Sequence, residues 1–163
     1  MEILITLSVN NIRDLDAFVE EQDTCLLLNP EAEIREIRES YPALVKQMQD
    51  QHARLPGEVI VKENRPVRLL AVVYDLEQEP VCQLTAVKQT LANLMTVIQK
   101  YRLKVVAMPL LGTSYGPVSV DDFLELLQEA ISHRPGYPEK LWLVVTPFQY
   151  LQVFSFLHMN DPD

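Results

Sequence analysis

Val105-Val106-Ala107-Met108-Pro109-Leu110-Leu111-Gly112-Thr113-Ser114-Tyr115-Gly116 is the stretch whose reading decides the fold. Its first half is β-branched and apolar, as a strand buried on both faces should be. Its second half holds two of the four glycines in 163 residues. Ser119 follows, with Asp122 three positions on, a variant of the capping box that opens a helix. Phe123, Leu124, Leu127 and Ile131 give that helix its inner face. Strand, glycine turn and amphipathic helix make one crossover unit, and such units build parallel sheets covered by helices.

Upstream, residues 81–101 form the longest helical pattern. Leu84, Val87, Leu91, Leu94, Met95 and Ile98 recur at three- and four-residue steps. Arg68–Tyr74 is nearly continuous apolar and reads as an interior strand, joined to Glu58–Lys62 as a hairpin. Ile3–Val9 predicts an opening strand. Asn10 or Asn11 then caps a predicted short helix, Ile12 to Glu21, with Leu15, Phe18 and Val19 on one face. Thr24–Leu28 predicts a strand ended by Asn29-Pro30. Helical patterns cover Glu31–Arg38 and, from Pro42, a second stretch to about His52. Downstream, Leu141–Val145 predicts the last buried strand and Phe148–His158 the last helix. The fold class is therefore α/β: a three-layer α/β/α arrangement around a mixed, mostly parallel sheet of about six strands. Residues 1–159 are read as a single domain and 160–163 as a short polar tail.

Composition narrows the function. A net charge of −9 makes nucleic acid a poor partner, because phosphate backbones are held by clustered Lys and Arg. No apolar run approaches a membrane span, and the N-terminus has no basic, cleavable leader. These features predict a cytoplasmic protein with no membrane partner. Cys25 and Cys82 sit in apolar surroundings and are expected as two buried thiols. His52, His133 and His158 have no ligand spacing, so no metal site and no cofactor are expected. Trp142 is expected in the core.

The Gly112–Gly116 turn is the one chemically loaded segment. In an α/β sheet, ligands bind beyond the carboxyl ends of strands, where strand order reverses. Successive amides of a small-residue turn can hold an anion without basic side chains. The turn reads equally well as a glycine-capped crossover with incidental hydroxyls.

A buried strand ending Met108-Pro109-Leu110-Leu111-Gly112-Thr113, with a further Gly116 and an amphipathic helix, resembles the second phosphate loop of macro domains, the ADP-ribose-binding family. The resemblance is specific over Val105–Ala130 and coarser elsewhere. Arg68–Tyr74 resembles the family's central strand, Lys140–Leu157 its last strand and helix, and Cys25–Asn29 the strand leading to its Asn-rich motif. It implies a macro-like fold and a ligand site made by Gly112, Thr113, Ser114, Tyr115 and Gly116. Asn29 would stand at the first phosphate loop and Asn11 near the adenine. Phe148 is the nearest candidate to stack the base.

The sequence also departs from the family. Asn29 is followed by Pro30-Glu31-Ala32-Glu33, with no glycine before Gly57, so the glycine-rich first loop is missing. Ser114 stands where glycine is usual. Catalytic residues are accordingly none. The expected function is weak, non-catalytic binding of an ADP-ribose-like or other phosphorylated nucleotide. The alternatives are an ADP-ribosyl hydrolase of the same fold, or an interaction scaffold whose protein partner meets the Phe148–Leu157 face.

Overall fold

The computed structural model describes residues 1–28, 54–132 and 136–159. The helices expected over 31–38 and 42–52, and Asn29, lie outside the described residues. Six strands form one sheet: β1 (Glu2–Thr6), β2 (Ala17–Asp23), β3 (Val59–Lys62), β4 (Val67–Tyr74), β5 (Val105–Pro109) and β6 (Lys140–Val144). Among the described residues three helices accompany them: α1 (Leu84–Tyr101), α2 (Val120–Ser132) and α3 (Pro147–Met159). A 3-10 turn, Val9–Asn11, follows β1.

The strand order is β1-β6-β5-β2-β4-β3. Every neighbouring pair is parallel except β3 with β4, the expected hairpin. The strands expected inside the sheet, β4, β5 and β6, each have two neighbours. Leu69, Ala71 and Val73 of β4, Val106 and Met108 of β5, and Leu141 and Leu143 of β6 join one core with α1 and α2. Within α1, Val87, Leu91, Leu94, Met95 and Ile98 are fully buried, the stripe that the periodicity marks. Burying each such side chain contributes roughly 1.5–3 kcal/mol. The opposite face of the sheet is covered too, since Leu70, Val72 and Ala107 are buried without joining that cluster. The Ser119 side chain caps α2 by accepting from the Asp122 amide at 3.1 Å.

The segment after β1 departs from expectation. Residues 17–23 are a strand, not the end of a helix from Ile12, and Thr24–Leu28 is a turn, not a strand. β2 pairs with β4 from Ala17↔Val67 onward. Its polar residues find partners across the sheet. Glu20 accepts from the Arg68 guanidinium at 2.6 and 3.2 Å. Just before the strand, Asp16 accepts from the Lys104 and Val105 amides at 2.9 Å each. Asp23, fully buried, shapes the turn that follows. Its carboxylate accepts from the amides of Cys25 at 2.7 Å and of Leu27 and Leu28 at 2.8 Å. That turn leaves Cys25 exposed, against expectation, while Cys82 is buried and both are free thiols. Trp142 is half-buried at the sheet's amino edge, not in the core.

Candidate functional site

Strand order places the crevice. From β2 the chain moves to β4 and β3 on one side, and from β5 it moves to β6 on the other. The reversal falls between β2 and β5, where ligands of open α/β sheets sit. These two strands pair only over Ala17↔Val106 and Phe18↔Ala107, then part toward their carboxyl ends. The Gly112–Gly116 turn, directly after β5, borders that opening.

Much of the opening is filled by the chain itself. Glu21, on the half of β2 beyond its pairing with β5, accepts from the Gly112 amide at 2.9 Å. It also shares a hydrogen bond with the Tyr74 hydroxyl. Tyr74 reaches it because the β2–β4 register shifts between Gln22 and Asp23, an irregularity that re-aims a strand-end side chain. The Tyr74 oxygen in turn accepts from the Tyr115 amide at 3.3 Å, and the two rings meet edge to face at 5.8 Å. The Thr113 amide bonds the Leu110 carbonyl, and the Thr113 hydroxyl donates to the same oxygen at 2.7 Å. Among the described residues, the Ser114 and Gly116 amides have no partner. The turn is therefore half committed to its own protein, and of the amides at 113–115 only that of Ser114 remains open.

Burial sets the electrostatics. It raises the Glu21 carboxyl above its ordinary range, and the bonds from Gly112 and Tyr74 offset only part of that. The Tyr74 hydroxyl is raised far above its usual value, first by burial and then by the Glu21 charge. The same two causes push the Cys82 thiol up to about 11. Such a thiol is an inert packing group at neutral pH.

Both glycines of the turn are needed for close approach. Gly112 has φ +82°, and a Cβ there would stand 2.8 Å from Val118 Cγ2 and 2.9 Å from Cys82 Sγ. A Cβ on Gly116 would meet Cys82 Cβ at 2.7 Å and the Gly112 carbonyl at 2.8 Å. The added atoms point into the protein, not into the crevice, so the glycines let the turn fold down on Cys82.

Phe148 lies at the start of α3, and the next residue, Gln149, donates to the Thr113 hydroxyl at 3.1 Å. That contact sets the first turn of α3 beside the loop, with the Phe148 ring 96% exposed. Asn11 is elsewhere. It borders a cavity of about 520 Å³ at the amino ends of β5 and β6, with Arg13, Asp16, Lys104 and Trp142. Asn29 is outside the described residues. The reading from sequence missed Glu21, Asp23, Tyr74 and Gln149. The only available signal for the two acids was their place in the run Glu20-Glu21-Gln22-Asp23, ahead of a turn. Among the described residues, no group of three or more His, Cys, Asp or Glu could hold a metal ion, and no helix is long and apolar enough to cross a membrane.

No protein-family model and no curated protein sequence matches the chain. Solved structures do. The macrodomain of Mycobacterium tuberculosis DarG superposes with a TM-score of 0.65 at 16% identity, covering 86% of this chain and 96% of that one. The Oceanobacillus iheyensis macrodomain with ADP gives 0.66 at 14% identity, over 96% of this chain and 92% of that one. A mutant of the same macrodomain with ADPR gives 0.66 at 13% identity, over 96% and 93%. The chain has the macro domain fold.

Proposed function

We propose that this chain is a cytoplasmic, macro-like single domain that binds an ADP-ribose-like or other phosphorylated nucleotide, weakly and without catalysis. The observation that carries the reading is the crevice at the β2/β5 strand reversal. It is bordered by a small-residue turn with unbonded amides at Ser114 and Gly116, and Gln149 ties that turn to the start of α3, which carries the exposed Phe148. Amides of this kind hold phosphate oxygens without cations, and an exposed aromatic can stack a base. Fold neighbours solved with ADP and ADPR support the same ligand class.

Weakness follows from the Gly112 and Tyr115 amides being already engaged by Glu21 and Tyr74. The absence of catalysis is supported by the site's chemistry. Cys82 is buried and holds its proton, and no glycine follows Asn29 before Gly57, so the sequence lacks the glycine-rich first loop. The scaffold reading is favoured by one feature, the exposed Phe148, Leu151 and Met159 of α3, a helix without a charged Asp, Glu, Lys or Arg. Isothermal titration with ADP-ribose separates the two. Saturable binding with a dissociation constant of about 10 μM to 1 mM supports the nucleotide reading, and no binding at millimolar ligand leaves the scaffold.

A further inference from the structure

We propose that Glu21 is a built-in competitor for the ligand's phosphate, occupying the Gly112 amide until a nucleotide displaces it, so that nucleotide affinity is coupled to the charge on this one carboxyl. The inference rests on the nucleotide-binding reading above and adds the residue that sets its affinity.

The geometry is direct. One amide hydrogen serves one strong acceptor, and the Gly112 amide points at Glu21 Oε1 at 2.9 Å. A phosphate oxygen can take that amide only if Glu21 turns away or becomes neutral. Two anions cannot share the position, because like charges in a partly buried site repel far more strongly than in water. Glu21 is held in place from a second side by the Tyr74 hydroxyl, whose oxygen also accepts from the Tyr115 amide. Moving Glu21 therefore frees the Gly112 amide and loosens the hydroxyl that occupies the Tyr115 amide. With the unbonded Ser114 and Gly116 amides, the turn then presents a row of donors, which is the arrangement an anion nest needs.

The groups facing Glu21 are few. Among the described residues they are the Tyr74 hydroxyl from β4, the Cys82 thiol from the connection to α1, and the Gly112 amide after β5. Burial keeps the hydroxyl and the thiol protonated well above neutral pH. Glu21 itself is raised from its ordinary value by burial. Glu21 is thus the group of this cluster that takes up a proton first as pH falls, and it does so above the ordinary carboxyl range. The diphosphate of ADP-ribose stays ionised over the same range. Affinity for ADP-ribose should rise as pH falls and Glu21 gains its proton.

The test is isothermal titration of ADP-ribose into the parent chain and into Glu21→Gln, at pH 5.5 and pH 8. The glutamine keeps the shape and an acceptor for Gly112 but carries no charge. At pH 8 the variant should bind about tenfold tighter or more, inside the roughly 5–150-fold range of coupled equilibria. The parent should bind more tightly at pH 5.5 than at pH 8, and the variant should show no such gain. If both bind with equal affinity at both pH values, Glu21 does not compete and the inference fails while the nucleotide reading stands. If neither binds at millimolar ADP-ribose, the nucleotide reading fails and takes this inference with it. Should the variant not fold by circular dichroism, the parent's own pH profile decides, and a flat profile overturns the proposal.

Discussion

Gly112→Ala should destabilise the chain without touching the crevice. The perturbation adds one methyl group where φ is +82°. Holding a non-glycine residue in a left-handed conformation costs about 1–2 kcal/mol. The new Cβ would stand 2.8 Å from Val118 Cγ2 and 2.9 Å from Cys82 Sγ. Carbon atoms pack best at about 3.5–4.0 Å, and relieving such an overlap costs typically about 1–3 kcal/mol. Together these give about 2–5 kcal/mol. For a chain of this length each kcal/mol lowers Tm by about 2–4 °C, so the midpoint should fall by about 4–20 °C. Thermal unfolding followed by circular dichroism measures it. A midpoint within about 2 °C of the parent would refute the packing of the turn on Cys82 and Val118. A bulkier residue at 112 would likewise meet the interior before it could block a phosphate.

Other expectations follow from the same contacts. Asp23→Ala should cost at least about 2 kcal/mol in urea unfolding, since three amides lose a charged acceptor worth about 1.5–3 kcal/mol per bond at most; a change under about 0.5 kcal/mol would remove Asp23 as the organiser of the turn. Burial raises the Glu21 carboxyl in the folded state, so its contribution to stability is full below the unfolded value near 4.5 and is lost as pH rises through the folded value. Glu21→Gln should therefore compare more favourably with the parent at pH 7.5 than at pH 4, and the opposite ordering in urea unfolding would contradict the buried-acid assignment. In native protein at pH 8 a thiol reagent should label Cys25 quickly and Cys82 only on unfolding, because Cys82 is buried with its pKa pushed up to about 11; rapid labelling of both would count against the packed turn. Incubation with an ADP-ribosylated protein should release no ADP-ribose, and turnover at about 1 per second or faster would establish a hydrolase.

The parts of the fold legible in sequence were those whose burial is written in their own periodicity. Helix α1 shows its inner stripe in Val87, Leu91, Leu94 and Ile98, and β4 and β5 are apolar on both faces. The strand β2 was not legible. Ala17–Asp23 carries Glu20, Glu21, Gln22 and Asp23, and Leu15, Phe18 and Val19 imitate a helical face. What makes these residues a strand is tertiary: pairing with β4, Arg68 for Glu20 and the Gly112 amide for Glu21. The partners of Glu20 and Glu21 lie 48 and 91 residues away, beyond the reach of a local pattern. The site was half legible for the same reason. Two close glycines marked the turn, and Phe148, named from its place after the last strand, opens the helix whose Gln149 bonds that turn. The acids that fill the crevice could not be found, because a carboxylate at a strand's end looks solvated until the chain that covers it is known.

The most direct test of the central claim is an NMR titration of the isotopically labelled chain with ADP-ribose. The account expects saturable shifts at the Gly112, Ser114, Tyr115 and Gly116 amides and at the Phe148 ring, with Asn11 and Asp16 at the far edge of the sheet unmoved. Shifts confined to the Asn11–Asp16 edge, or none at millimolar ligand, would contradict it.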